Sequence, residues 1–167
     1  MPKRATGRCN GQKIPYSLQH KKGREKMSKI AVVYWSGTGN TEAMAYEIAK
    51  GATGVGGEAD VISCSNFNAD MMDAYSAVAF GCPSMGSEQL EEDEFEPMFS
   101  ACEGKLSGKK IGLFGSYGWG DGEWMRNWED TCRADGAVLA GDGVICSEEP
   151  DDDAKAACNA LGAKLAE

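Results

Sequence analysis

Lys29-Ile-Ala-Val-Val-Tyr-Trp-Ser-Gly-Thr-Gly-Asn-Thr41 decides the fold. Ile30–Tyr34 is a continuous apolar run, the pattern of a strand buried on both faces. It runs into small, hydrogen-bonding residues and then a helical pattern over 41–53, with Met44, Ile48 and Ala52 at i, i+4 and i+8. A strand, a glycine-rich loop and a helix make an anion site: backbone N–H groups and hydroxyls converge where the helix dipole is positive. No cation lies between Trp35 and Thr41, whereas nucleotide triphosphate loops end Gly-Lys-Ser/Thr. An uncharged loop suits one terminal phosphate.

Outward from this segment, strands and helices alternate. Strands are predicted over 59–64, 77–81, 110–115 and 137–146, the last broken near Gly141-Asp142-Gly143. A short helix is predicted over 69–75 and longer ones over 92–102, 122–133 and from Asp151 onward. Their inward faces would carry Phe95, Met98, Phe99 and Cys102, then Met125, Trp128 and Cys132, then Cys158, Leu161 and Leu165. Five strands with intervening helices imply a doubly wound α/β fold on a parallel sheet, with its ligand beyond the carboxyl ends of the strands.

Charge is divided along the chain. Residues 1–26 hold eight of the 17 Lys/Arg and one of the 26 acids, a net +7. The remainder holds nine basic and 25 acidic residues, a net −16. Residues 1–27 are read as a basic, disordered extension and 28–167 as one domain. The extension lacks the apolar stretch of a secretory signal, and no segment approaches 18 apolar residues. The seven cysteines are scattered without C-x-x-C, and the single histidine is His20. A metal centre is therefore not expected; buried thiols in a reducing cytoplasm are.

Three loops should meet at the strand ends. The first is Ser36-Gly37-Thr38-Gly39-Asn40-Thr41. The second runs Gly81-Cys82-Pro83-Ser84-Met85-Gly86-Ser87-Glu88. The third runs Gly115-Ser116-Tyr117-Gly118-Trp119-Gly120-Asp121-Gly122. Met85 and Trp119 could sandwich a planar ring, by sulfur–aromatic contact and by stacking. Cys82 stands beside this site.

The first loop resembles the T/S-x-T-G-x-T phosphate motif of flavodoxins. Gly-Cys-x-x-Met-Gly-x-Glu, Leu-Glu-Glu-x-Glu-Phe-Glu-Pro and Leu-Phe-Gly-Ser-Tyr-Gly-Trp-Gly-Asp-Gly resemble the clostridial-type short-chain members over essentially all of 29–167. The resemblance implies strand order 2-1-3-4-5 and non-covalent FMN. Ser36, Thr38, Asn40 and Thr41, with the Gly37 and Gly39 backbones, would hold its phosphate. Met85 and Trp119 would flank the isoalloxazine, with Pro83, Ser84, Ser116, Tyr117, Gly120 and Asp121 around it. Glu88 would accept from N3–H, the Gly86–Ser87 peptide would meet N5, and the Gly118 backbone would meet the pyrimidine edge.

A peptide flip at Gly86 would favour the one-electron-reduced flavin. A bond of about 1 kcal/mol moves a one-electron potential by about 40 mV. The charges of Glu88, Glu91, Glu92, Asp93, Glu94 and Asp121 would oppose the hydroquinone anion. One carboxylate about 8 Å away costs about 2 kcal/mol, or about 90 mV, at an effective dielectric near 20.

The implied function is a low-potential one-electron carrier shuttling between semiquinone and hydroquinone, with no catalytic residues. Its partners would be redox proteins with basic docking faces, such as ferredoxin- or flavodoxin-dependent oxidoreductases. A cytoplasmic monomer is expected, with no nucleic acid and no membrane. The rival is a flavodoxin-fold NAD(P)H:quinone reductase, which would need both ring faces open. A phosphoacceptor domain would need an Asp where Cys82 stands. A non-redox FMN-binding module is the third alternative.

Overall fold

A computed structural model describes residues 28–167. The basic segment 1–27, with Cys9 and His20, lies outside the described residues. The elements are β1 (Lys29–Tyr34), α1 (Asn40–Gly54), β2 (Glu58–Ser63), β3 (Ala77–Gly81), α2 (Phe95–Cys102), β4 (Lys110–Tyr117), α3 (Glu123–Ala134), β5 (Val138–Leu139), β6 (Val144–Ser147) and α4 (Asp152–Ala166). Ala69–Ala74, where a short helix was expected, forms 3₁₀ turns.

The sheet is parallel, in the order β2-β1-β3-β4-β5, with β6 also pairing to β4. The fifth strand is thus split in two. Val138 and Leu139 pair with the start of β4, and Val144–Ser147 with its end. Gly141-Asp142-Gly143 falls at the break. The Gly143 N–H donates to Glu129 Oε2 at 2.6 Å, which fixes it.

β1 is apolar on both sides because both are covered. Ala31, Val33, Val78 and Phe80 pack with Phe95, Phe99, Trp124 and Trp128 of α2 and α3. Ile30, Val32, Ala77 and Ala79 pack with Met44 and Ile48 of α1 and with Leu161 and Leu165 of α4. Aromatic edges lock the first layer: Phe80 meets Phe99 and Phe95 meets Trp128, each edge-on, with centroids 5.1 and 5.5 Å apart. The second layer closes through glycine. A Cβ at Gly51 would strike the Asn159 carbonyl, and one at Gly162 the Ile48 carbonyl, so α1 and α4 meet backbone to backbone.

The helix expected from Glu92 begins at Phe95. Glu91 is the reason. Its carboxylate is almost wholly buried and accepts from the N–H groups of Asp93, Glu94 and Phe95 at 2.8–2.9 Å. Those amides are the unpaired donors that open a helix, so residues 92–94 form a turn around the carboxylate. Burial alone would raise the Glu91 pKa; the three backbone bonds outweigh it and hold the group below its ordinary value.

Candidate functional site

The parallel sheet brings the β1–α1, β3–α2 and β4–α3 loops to one edge, as the sequence predicts. They enclose an open cleft of about 240 Å³. Gly37, Thr38 and Asn40 form one end. Pro83, Ser84 and Met85 form one wall, and Ser116, Tyr117 and Gly118 form the other.

The first loop is wired from within. Ser36 Oγ accepts from Gly39 N at 3.0 Å and from Glu42 N at 3.3 Å. Both bonds use its lone pairs and leave its proton to donate. Gly39 has φ +97°, a left-handed turn that starts α1. Thr41 is buried, with Oγ1 3.2 Å from Ser116 Oγ, and Ser116 N donates to Thr41 Oγ1 at 3.4 Å. This pair ties the loop to β4. The N–H groups of Gly37, Thr38 and Thr41 have no acceptor among the described residues. Unsatisfied donors at the start of a 15-residue helix are what a phosphate needs.

The second loop is a tight hairpin. Met85 and Gln89 exchange both backbone bonds at 2.8 Å. The turn between them places Gly86 at φ +52° and Glu88 at φ +56°. Two left-handed residues aim the Glu88 carboxylate beneath the third loop, against Gly120, where Trp124 N donates to Oε1 at 3.4 Å. Glu88 therefore faces the start of α3 and does not line the cleft. Gly86, Ser87, Trp119, Gly120 and Asp121 also lie off its walls, and the Trp119 side chain is 63% exposed.

Ser36, Gly39 and Thr41 are not among the residues that line the cleft. Trp35 and Glu148 line the cleft and were not predicted. Trp35 lies over Gly37, and its indole N–H donates to Glu94 Oε1 at 3.0 Å. Its place directly before the loop was the available signal. Glu148 follows β6, and nothing in its sequence context marks it.

The acidic rim is less free than the sequence suggests. Asp121 pairs with Arg126 at 3.1 Å, so the site is not without a nearby cation. Glu88 and Glu91 accept backbone N–H bonds, and Glu94 accepts from Trp35. Each such donor offsets part of the repulsion that a lone carboxylate would exert.

Cys82 is fully buried; it accepts from Glu91 N at 3.3 Å, and burial pushes its thiol far above the ordinary range. It is a structural residue with no thiolate to offer. No cluster of three potential metal ligands occurs among the described residues.

The Flavodoxin family profile matches residues 32–161. A flavodoxin of Clostridium beijerinckii is 47% identical over 137 residues, spanning 82% of this chain and 99% of its own. One from Megasphaera elsdenii is 44% identical over 133 residues, spanning 80% and 95%. The solution structure of the two-electron-reduced Megasphaera elsdenii flavodoxin superposes with a TM-score of 0.76, covering 82% of this chain and 98% of its own.

Proposed function

Because this chain belongs to the flavodoxin family, we propose that its cleft holds FMN with the phosphate on the β1–α1 loop and the ring between Met85 and Trp119. The chain is an FMN-dependent electron carrier, not an enzyme. The observation that carries the placement is the set of acceptor-free N–H groups of Gly37, Thr38 and Thr41 at the α1 terminus. They match a phosphate in charge and number, with the Ser36 proton and Asn40 beside them.

Bound FMN supplies one-electron chemistry; the protein sets its potential and access. Three backbone N–H groups and the α1 terminus hold the phosphate without a cation. Among the described residues no group accepts from or donates to the Gly86–Ser87 peptide, which leaves it free to reverse. Glu88 is held by the Trp124 N–H at the edge of the same loop. Trp119 limits solvent and substrate access to one ring face, which disfavours hydride exchange with a nicotinamide.

The partners we propose are redox proteins with basic faces, met by a monomer in the cytoplasm. The net −16 of residues 27–167 supports attraction to such faces. Glu88, Glu92 and Glu96 line a groove of about 310 Å³ between α2 and α3. Six described cysteines are free thiols, consistent with a reducing compartment. No described helix is long and apolar enough to cross a membrane.

The test is titration of the flavin-free protein with FMN, followed by flavin fluorescence. Stoichiometric quenching with no NADPH oxidation supports the reading. Failure to bind FMN, or NADPH turnover by the loaded protein, overturns it.

A further inference from the structure

Glu148 is a non-glycine residue held at φ +61°, a left-handed conformation that L side chains rarely adopt. Two features keep it there. Its N–H donates to the Tyr117 carbonyl at 2.9 Å, which extends the β4–β6 ladder by one step. Two residues on, Pro150 precedes the Asp151 cap of α4, so the chain must turn between β6 and the helix. The turn brings the carboxylate back over the β4 loop. A Cβ built on Gly118 would lie 3.3 Å from Glu148 Oε2. The same side chain lines the cleft with Thr38, Ser84 and Tyr117. Strained conformations of this sort concentrate where a side chain has a task.

We propose that Glu148 reads the ribityl chain of FMN, accepting hydrogen bonds from its hydroxyl groups; this rests on the FMN reading above. A carboxylate only accepts. Oxidised FMN offers few donors: the ribityl hydroxyls and ring N3–H. Glu88 lies against Gly120, outside the cleft lining, which leaves Glu148 as the carboxylate that lines the cleft. The ribityl chain joins phosphate to ring, and Glu148 lines the cleft that runs between the phosphate loop and Met85. The strain at residue 148 is thus the cost of presenting an acceptor at the middle of the ligand.

Riboflavin and lumiflavin separate this contact from the others. Both lack phosphate, and lumiflavin carries a methyl group in place of the ribityl chain. Binding of both, and of FMN, is measured to the wild-type protein, to Glu148→Ala and to Glu148→Gln. Glu148→Ala keeps the backbone strain and should weaken riboflavin about fivefold while leaving lumiflavin unchanged. Glu148→Gln keeps an acceptor and should stay within about twofold of wild type for riboflavin. Equal weakening of riboflavin and lumiflavin, or none, overturns the assignment, as does a Gln variant as weak as the Ala one. Failure of the wild-type protein to bind any of the three flavins overturns the FMN reading and this assignment together. FMN binding with an unselective Glu148→Ala overturns this assignment alone.

Discussion

The two ends of the cleft are built differently. At the phosphate end, Ser36 is hydrogen-bonded to Gly39 and Glu42, and Thr41 to Ser116. The acceptor-free N–H groups are preorganised, and binding there costs little reorganisation. At the ring end, Gly86 and Glu88 sit in left-handed turns, Trp119 is exposed, and the Gly86 peptide is unbonded. One end is fixed and the other can respond to a change at its ligand. On the placement proposed above, that division suits a carrier: the fixed end would hold the phosphate, which takes no part in electron transfer, and the responsive end would meet the ring, which does.

The largest expected break in this contrast is Thr41→Val. It removes a buried hydroxyl and leaves Ser116 Oγ without its partner. A loss of about 2 kcal/mol, or about thirtyfold in FMN affinity, is expected. Because the damage is confined to the fixed end, the separation of the two one-electron potentials should change little. Fluorescence titration and redox titration of the same variant check both halves.

Trp119→Ala strikes the other end. Loss of a stacking face should weaken FMN by about tenfold. Unlike Thr41→Val, it should also move the potentials, by about 50 mV. Unchanged potentials would mean that Trp119 does not touch the ring.

Gly86→Ala is the finer probe. Its φ of +52° strains any side chain, although only Gln89 Oε1, at 3.8 Å, lies near the added Cβ. The peptide should become harder to reverse by about 1 kcal/mol, narrowing the gap between the two potentials by about 40 mV with little loss of FMN. Spectroelectrochemistry reads this directly.

Glu103→Gln, remote from both ends, should leave FMN affinity untouched and report on α2 and α3 alone. Burial, and then the Asp135 carboxyl beside it, raises the Glu103 pKa from 4.5 to about 7. Among the described residues no hydrogen-bond partner reaches the buried Asp135 Oδ2. The folded state therefore keeps a proton that the unfolded chain gives up. That stabilisation is full below about pH 4.5 and is lost as the pH rises through about 7. The variant should gain on wild type between pH 5 and pH 8, by at most about 1 kcal/mol after solvent screening. Melting curves at the two pH values check the sign.

Legibility in the sequence follows the same contrast. The strands were plain because β1 and β3 are buried on both faces and read as unbroken apolar runs. The β1–α1 loop was plain because its pattern is local, six consecutive residues opening a helix. The ring end was only partly legible, since its residues act through backbone angles. Nothing local shows that Glu88 turns under Gly120 or that Glu148 adopts φ +61°. The start of α2 was misplaced for a related reason: Glu91 satisfies the helix amides from four residues upstream of Phe95. A glutamate among glutamates carries no sign that it is the buried one. The acidic rim was overread likewise, because the Asp121–Arg126 pair spans a turn that composition does not reveal.

The most direct measurement is a stepwise anaerobic reductive titration of the FMN-loaded protein, followed by its visible spectrum. A fixed phosphate end with a responsive ring end predicts two resolved one-electron steps, the second at much lower potential. A single two-electron conversion would contradict the carrier account and point to hydride chemistry at an open ring face.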